Sequence, residues 1–331
     1  MPETYMRALV CHEISPDFSG VEMRRVVVPS VSPGEVRVRV QAASINFPDL
    51  LLCRGLYQLK LQPPFTPGMD IAGIIESVGP SITRFRAGDK VVGSISYGGF
   101  AEYAVTTQDR LQQAPPNLSV AEMAAYPTAY LTAYVGLVCR ARLQAGETVL
   151  VHGASGGVGL ATVDLAKQLG ATVIATSADS SKRELIKVYG ADYCIDSSNG
   201  FAPTVKELTG GRGADVVFDP VGGDTFDESV HCIAFDGRLL VIGFTSGRFA
   251  TVKSNIALIK AFSVVGVRAG EYGRRFPDKG RDNIAAIRAL AATGKIRPRV
   301  HAELPLAQTK DGFAMLDERA VVGKVVIRCD Q

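Results

Sequence analysis

The sequence predicts a two-domain α/β protein: an antiparallel, barrel-like β region, then a doubly wound parallel sheet, with the tail returning to the first region. Three observations carry this. Residues 1–125 alternate short β-branched runs with Gly and Pro punctuation, the pattern of strands joined by tight turns. From about Tyr126 strands alternate instead with helical stretches, as parallel strands joined by crossover helices require. The chain has 331 residues, about twice a typical domain, so two packed units are expected.

In the first region strands are expected at 36–40 (VRVRV), 71–78 (IAGIIESV), 90–93 and 100–105. In the second they fall at 148–152 (TVLVH), 172–176 (TVIAT), 215–219 (DVVFD), 238–242 (RLLVI) and 263–267 (SVVGV). Amphipathic helices are expected at 157–169 and 181–189. After about Arg268 comes a helix at 282–293, then a strand at 324–327 with no place in a parallel sheet. The expected division is therefore residues 1–125 completed by 268–331, with a parallel-sheet domain of residues 126–267 inserted.

Composition narrows the function. Hydrophobic residues make up 47% and charged residues 21%, which excludes a disordered chain. Lys plus Arg number 36 against 33 Asp plus Glu, without long runs of one sign, so nucleic acid is not an expected partner. No apolar stretch approaches the roughly 20 residues of a membrane span. The six cysteines form no CxxC pair and the start MPETYMRALVCHE lacks a signal-peptide layout, so free thiols and a cytoplasmic location are expected. The four histidines fall in no metal-ligand spacing, and His152, at a strand end, reads as packing.

The strongest motif runs from Thr148 to Thr176: strand, Gly-rich turn, helix, strand. Its core, Ala154 Ser155 Gly156 Gly157 Val158 Gly159, is the dinucleotide fingerprint GxGxxG with Ala for the first Gly. Gly156 lets the backbone approach a pyrophosphate and Gly159 lets the helix pack on the strand. The helix N-terminus offers free N–H groups to the anion. An NAD site places Asp or Glu about 20 residues further on. Here that segment reads Ala175 Thr176 Ser177 Ala178, and the first acid, Asp179, comes too late. Ser177 can bond a 2′-phosphate and Lys182 or Arg183 can neutralise it, so NADPH is the expected cofactor. The competing reading makes the two cations ordinary helix-start charges.

Laid out this far, the chain resembles the zinc-free quinone oxidoreductase branch of the medium-chain dehydrogenase/reductase superfamily. The likeness spans nearly the whole length. It rests on SINFPDLLLCRGLY (44–57), PFTPGMDIAGIIESVG (64–79), RAGDKVVG (86–93), LTAY (131–134), HGASGGVG (152–159), FDPVGGDTF (218–226) and VGKVVI (322–327). The resemblance implies a GroES-like catalytic domain and a Rossmann nucleotide domain. Zinc-dependent relatives carry a Cys ligand where this chain has Asn46, and His-Glu where it has Met69 Asp70. Catalytic zinc takes about three Cys, His or carboxylate ligands, so metal catalysis and alcohol oxidation are disfavoured. What remains is hydride delivery from NADPH to a quinone, or to an α,β-unsaturated carbonyl such as an enone or enoyl thioester.

The resemblance also implies the site residues. Asn46 would bond the nicotinamide ribose or a substrate carbonyl; a turn-forming Asn before Pro48 is the alternative. Tyr57 matches a tyrosine assigned as proton donor in enoyl reductases, with packing as its alternative. Asp49 would organise local hydrogen bonds, against the reading of an exposed loop carboxylate. Thr132, with Thr128 as the weaker choice, would face the nicotinamide carboxamide. Gly243 and Phe244 follow a strand end where cofactors bind in open α/β sheets, and Lys324 would approach the cofactor from the tail unless it is a surface lysine. Relatives pair their last parallel strand with a second subunit, so a homodimer through 263–267, from Ser263 to Val267, is expected. Arg274, Arg275 and Lys279 form a basic cluster that would suit a thioester carrier's phosphates. A non-catalytic NADPH-binding module, crystallin-like or RNA-binding, is the remaining reading.

Overall fold

The computed structural model describes residues 4–331. The chain divides into two units, one running through Thr128 and resuming at Pro298, the other Ala129–Arg297.

In the first unit β1 (Tyr5–Cys11) and β2 (Val21–Val27) form an antiparallel pair. Then come β3 (Glu35–Ser44), the short helix α1 (Phe47–Cys53), β4 (Asp70–Val78), β5 (Lys90–Ser94), β6 (Tyr103–Thr107), β7 (Leu111–Gln113) and helix α2 (Val120–Ala125). In β3 the period of two is visible in burial: Val36, Val38 and Val40 are buried while Arg39 is exposed, as a half-buried strand dictates.

Helix α3 (Pro127–Tyr134) begins two residues before the second unit starts at Ala129 and passes into a π-helical stretch, Val135–Ala141. The unit continues with β8 (Thr148–Val151), α4 (Gly157–Gln168), β9 (Thr172–Thr176), α5 (Ser180–Val188), β10 (Tyr193–Ile195), α6 (Ala202–Leu208), β11 (Ala214–Asp219), α7 (Gly223–Cys232) and β12 (Ile233–Val241). It closes with α8 (Ser254–Lys260), β13 (Ser263–Gly266), α9 (Ala269–Arg275) and α10 (Pro277–Ala292). The tail then supplies β14 (Val300–Pro305), α11 (Thr309–Asp317) and β15 (Lys324–Arg328) to the first unit.

The large sheet of the first unit has the order β14-β15-β3-β4-β5-β7, with β6 also on β3. Its pairings are antiparallel except β14 with β15. The tail strand thus docks on β3, and Val325, Val326 and Ile327 are fully buried. The second unit is one parallel sheet in the order β10-β9-β8-β11-β12-β13, the doubly wound arrangement whose order reverses between β8 and β11. Buried from both faces, β8 is apolar apart from Thr148 at its start, which is why its sequence reads as a continuous run rather than an alternation.

Several elements differ from the expectation. The return to the first unit falls at Pro298, not at 268, because α9 and α10 belong to the second unit; Cys139 Sγ lies 3.5 Å from Asn283 Oδ1 on α10. Strand β12 starts at Ile233, five residues before the expected 238. Asp236 takes a positive φ of 61°, yet pairing to β11 continues across an irregular register. The strand expected at 100–105 is Tyr103–Thr107, while Phe100 is a buried residue bonded to Leu9 by its carbonyl. Strands β1, β2, β10 and β14 have too weak an alternation to stand out.

His152 pins the second sheet. It is fully buried, with Nδ1 3.0 Å from Thr176 Oγ1 at the end of β9 and Nε2 2.8 Å from Ser229 Oγ on α7. The Ser229 hydroxyl spends its proton on the Thr225 carbonyl, so Nε2 carries the imidazole hydrogen and Nδ1 accepts from Thr176. Burial drives the imidazole pKa down from 6.5 to about 3. In that window the unfolded chain takes up a proton that the folded protein refuses, so stability is full above 6.5 and lost as pH falls toward 3. His152→Gln is expected to flatten this acid limb; urea denaturation across the window measures it, and an unchanged slope would count against the assignment.

Candidate active site

In the first unit the structure gathers Asn46, Asp49 and Lys324 into one buried network and adds Asp70 and Thr128. Asn46 precedes α1, where Pro48 suits the first turn, and Asp49 Oδ2 accepts the Asn46 N–H at 2.8 Å. Asp49 Oδ1 accepts the N–H of Gly68 at 3.0 Å. Asp49 is 0% exposed, which overturns the reading of an exposed loop carboxylate. Lys324 is no surface lysine either: buried where β15 meets β3, its Nζ donates to the Ile45 carbonyl at 2.7 Å and to Asn46 Oδ1 at 2.6 Å.

The other end of the Asn46 amide faces a carboxylate. Nδ2 donates to Asp70 Oδ2 at 2.9 Å and to the Ser44 carbonyl at 3.3 Å. Asp70 Oδ1 accepts from the Thr128 hydroxyl at 2.7 Å, so Ser94, at 3.1 Å from Thr128 Oγ1, is the donor of that pair. An ammonium group only donates and a carboxylate only accepts. A flipped amide would set NH2 against the ammonium and oxygen against the carboxylate, so the orientation of Asn46 is decided by charge. Both of its N–H groups are spent, and what it retains is an acceptor lone pair on Oδ1.

Burial raises Asp49 to about 7, with the Asp70 charge adding to the effect and the two backbone N–H groups and Lys324 opposing it. Lys324 is pulled down by burial and pushed back up by Asp70 and Asp49. Below about pH 7, where Asp49 takes up a proton, one cation balances one carboxylate. The Lys324 ammonium sits on Asn46 and beside Asp70, so this donor set does not fit a zinc ion. Among the described residues no three His, Cys, Asp or Glu side chains gather as a metal site.

Tyr57 stands on the loop after α1, half-buried against the rim of the first core, beside the exposed Leu56.

In the second unit the Gly-rich turn leaves β8 at the point where strand order reverses, the place at which open α/β sheets bind ligands. The tight turn is supplied by Gly153, with φ +56°, rather than by Ala154, which is buried. A Cβ on Gly159 would lie 2.2 Å from the Gly153 carbonyl oxygen, so α4 packs hard on the turn. Ser155, Gly156, Gly157 and Val158 form its partly exposed rim, where the first-turn N–H groups lack helical partners. Asp219 shapes the neighbouring turn, its Oδ1 accepting from Val221 and Gly222 at 2.8 and 2.9 Å. Phe244 leans over that turn: a Cβ on Gly222 would meet its ring at 3.1 Å. Gly243 and Phe244 thus lie at the same sheet end as the cradle.

After β9, Asp179 is committed to capping α5, accepting from Ser181 N, Ser181 Oγ and Lys182 N at 2.8, 2.6 and 3.2 Å. Arg183 bonds the carbonyls of Ser177 and Ala178 at 2.7 and 3.0 Å and pairs with Asp196 at 3.3 Å. Ser177 and Lys182, both half-buried, also lie beyond β9, and the Ser177 hydroxyl is 3.5 Å from the Asp179 carbonyl. Thr132 is half-buried on α3. In the basic cluster, Arg274 and Arg275 both pair with Glu271 at 2.6 and 2.9 Å, which weakens it as a phosphate rim.

Residues 157–285 match the zinc-binding dehydrogenase family and 32–116 the alcohol dehydrogenase GroES-like domain. The chain is 37% identical over 324 residues to quinone oxidoreductase-like protein 2 of Bos taurus, covering 97% of this chain and 92% of that one. The crystal structure of a probable oxidoreductase from Mycobacterium abscessus matches with a TM-score of 0.90 at 36% identity, covering 99% of this chain and 100% of that one. Escherichia coli quinone oxidoreductase, solved in complex with NADPH, matches with a TM-score of 0.88 at 27% identity, over 97% and 99% of the two chains. Fold and site therefore define an oxidoreductase of the medium-chain dehydrogenase/reductase superfamily. Within it, the chain belongs to the zinc-free quinone oxidoreductase branch.

Removing the Lys324 charge would leave Asp70 and Asp49 buried without their cation. Lys324→Met is expected to cost about 3–5 kcal/mol, as for other broken buried ion pairs, and the double variant Lys324→Met with Asp70→Asn to recover part of it. Urea midpoints of the two variants check this; equal midpoints for Lys324→Met and wild type would refute it.

Proposed function

We propose that the protein reduces a quinone with NADPH by metal-independent hydride transfer. The observation that carries this reading is the Asn46 amide clamped between the Lys324 ammonium and the Asp70 carboxylate, where zinc-dependent relatives carry ligands. When bound, NADPH supplies the hydride. The turn from Ala154 to Val158 offers N–H groups to the pyrophosphate, and Ser177 and Lys182 serve the 2′-phosphate while Asp179 is withheld by its cap. Asn46, having only an acceptor left, suits a hydroxyl of the nicotinamide ribose better than a substrate carbonyl. Thr132, Gly243 and Phe244 are assigned to the nicotinamide end. Tyr57 is assigned as the phenol that donates a proton to the reduced acceptor oxygen, and Asp49 holds the Asn46 backbone in place.

The same reading extends to assembly and location. Strand β13 ends the parallel sheet, with Val264 exposed, and α8 nearby in sequence exposes Leu258 and Ile259 at 82% and 71%. An apolar edge of this kind calls for cover, and a second copy pairing β13 with β13 supplies it by a two-fold axis. Six free cysteines suit a reducing cytoplasm. Among the described residues no helix is long and apolar enough to cross a membrane.

The deciding experiment follows oxidation of NADPH and of NADH with ortho- and para-quinones and simple enones, with a chelator present. Chelator-insensitive turnover with NADPH and quinones is expected; turnover only with enones or a CoA thioester would move the substrate class, and none with any acceptor would sink the reading. Lys182→Ala should raise KM for NADPH about tenfold, the loss of one charge-assisted contact, and leave that for NADH nearly unchanged.

A further inference from the structure

Asp164 sits in the middle of α4 and is 1% exposed. Its Oδ2 accepts the Tyr130 hydroxyl at 2.5 Å and the Arg297 N–H at 2.9 Å, and that N–H also lies 3.2 Å from the Tyr130 oxygen. Its Oδ1 is buried with no partner among the described residues. Burying a carboxylate with one oxygen unpaired is expensive, and a leucine in its place would avoid the cost. Such a group in a folded core calls for an explanation.

The explanation lies in what the three residues belong to. Helix α4 begins at the phosphate cradle. Tyr130 lies on α3, the helix that carries Thr132, and α3 runs on into π-helical winding, a form that recurs at functional sites. Ala129 and Arg297 are the first and last residues of the second unit. One carboxylate therefore ties the helix of Thr132, the helix of the cradle and the point where the chain leaves the unit.

We propose that Asp164 is a positioning residue that fixes α3 against α4, so that the two parts of the second unit assigned to the cofactor keep one spacing. The proposal rests on the NADPH reading given above. It concerns the alignment of the bound nicotinamide rather than the strength of binding, because the phosphate contacts of the cradle remain intact without the clamp.

The test uses the full chain with Tyr130→Phe, Asp164→Asn and Asp164→Leu. In Tyr130→Phe, backbone amides of residues 127–134 in the ligand-free protein should exchange with deuterium about tenfold faster, those at 160–166 unchanged. The NADPH Kd, read by cofactor fluorescence, should stay within about threefold while kcat falls about tenfold or more, since small misplacements of reacting groups are costly. Asp164→Asn, whose amide oxygen can accept both hydrogen bonds, should retain most of kcat. Wild-type exchange and kcat in Tyr130→Phe would overturn the proposal. So would parallel losses of Kd and Tm in Asp164→Asn, which mark a merely structural role. If Asp164→Leu does not fold, Tyr130→Phe decides alone. A wild-type protein that neither binds NADPH nor reduces any acceptor would refute the function, and the exchange comparison would then uphold or overturn the clamp by itself.

Discussion

A lysine ammonium buried among two carboxylates, in the apolar interior of the first unit, is the constraint on which the candidate site depends. Asp49 and Asp70 are fully buried, one at the start of α1 and the other at the start of β4. Neither could be held there charged without a cation, and the cation arrives from the far end of the chain, on β15. The tail is thereby a structural necessity. It completes the sheet, fills the core with Val325 and Ile327, and delivers Lys324 to the Asn46 amide.

The same constraint explains how one amide can be both buried and aimed. Asn46 is held by unlike charges on its two ends, so its orientation follows from electrostatics rather than from packing. Asn46, Asp49, Asp70 and Lys324 are all buried, which strengthens these contacts and raises the cost of losing any of them. Asp49, bonded only to backbone N–H groups, adds rigidity to the α1 start. Its pKa, raised by burial and by the Asp70 charge, opposes a second negative charge in the cluster.

The second unit works by a different principle. Its site is backbone-built: a positive-φ glycine, an open helix start and a neighbouring turn shaped by Asp219. Such features leave direct marks in sequence, because a close backbone approach admits only Gly. HGASGGVG and FDPVGG were legible for that reason, and so were the central parallel strands β8, β9 and β11, whose burial writes itself as apolar runs. The tight turn itself is supplied by Gly153, one position before the fingerprint's Ala154. Arg183 read as a phosphate ligand as readily as Lys182 did; only the fold shows it spent on the Ser177 and Ala178 carbonyls.

Sequence by itself determined the two architectures, the phosphate cradle, the lack of an acid at the usual ribose position and the absence of zinc-type ligands at Asn46 and Met69. Each of these depends on residue type at short range: strand period, glycine's freedom, the chemistry of one side chain. Tertiary structure alone decided that Asn46, Asp49, Asp70, Thr128 and Lys324 form one network, and that α9 and α10 belong to the second unit. It also showed that Tyr130, Asp164 and Arg297 meet. These residues are separated by up to 279 positions in the case of Lys324 and the Ile45 carbonyl, and a hydrogen bond between such distant groups leaves no periodicity to read. Burial inverts the meaning of the same letters: a lysine in a tail strand and an aspartate after a proline look like solvated charges until the sheet closes over them.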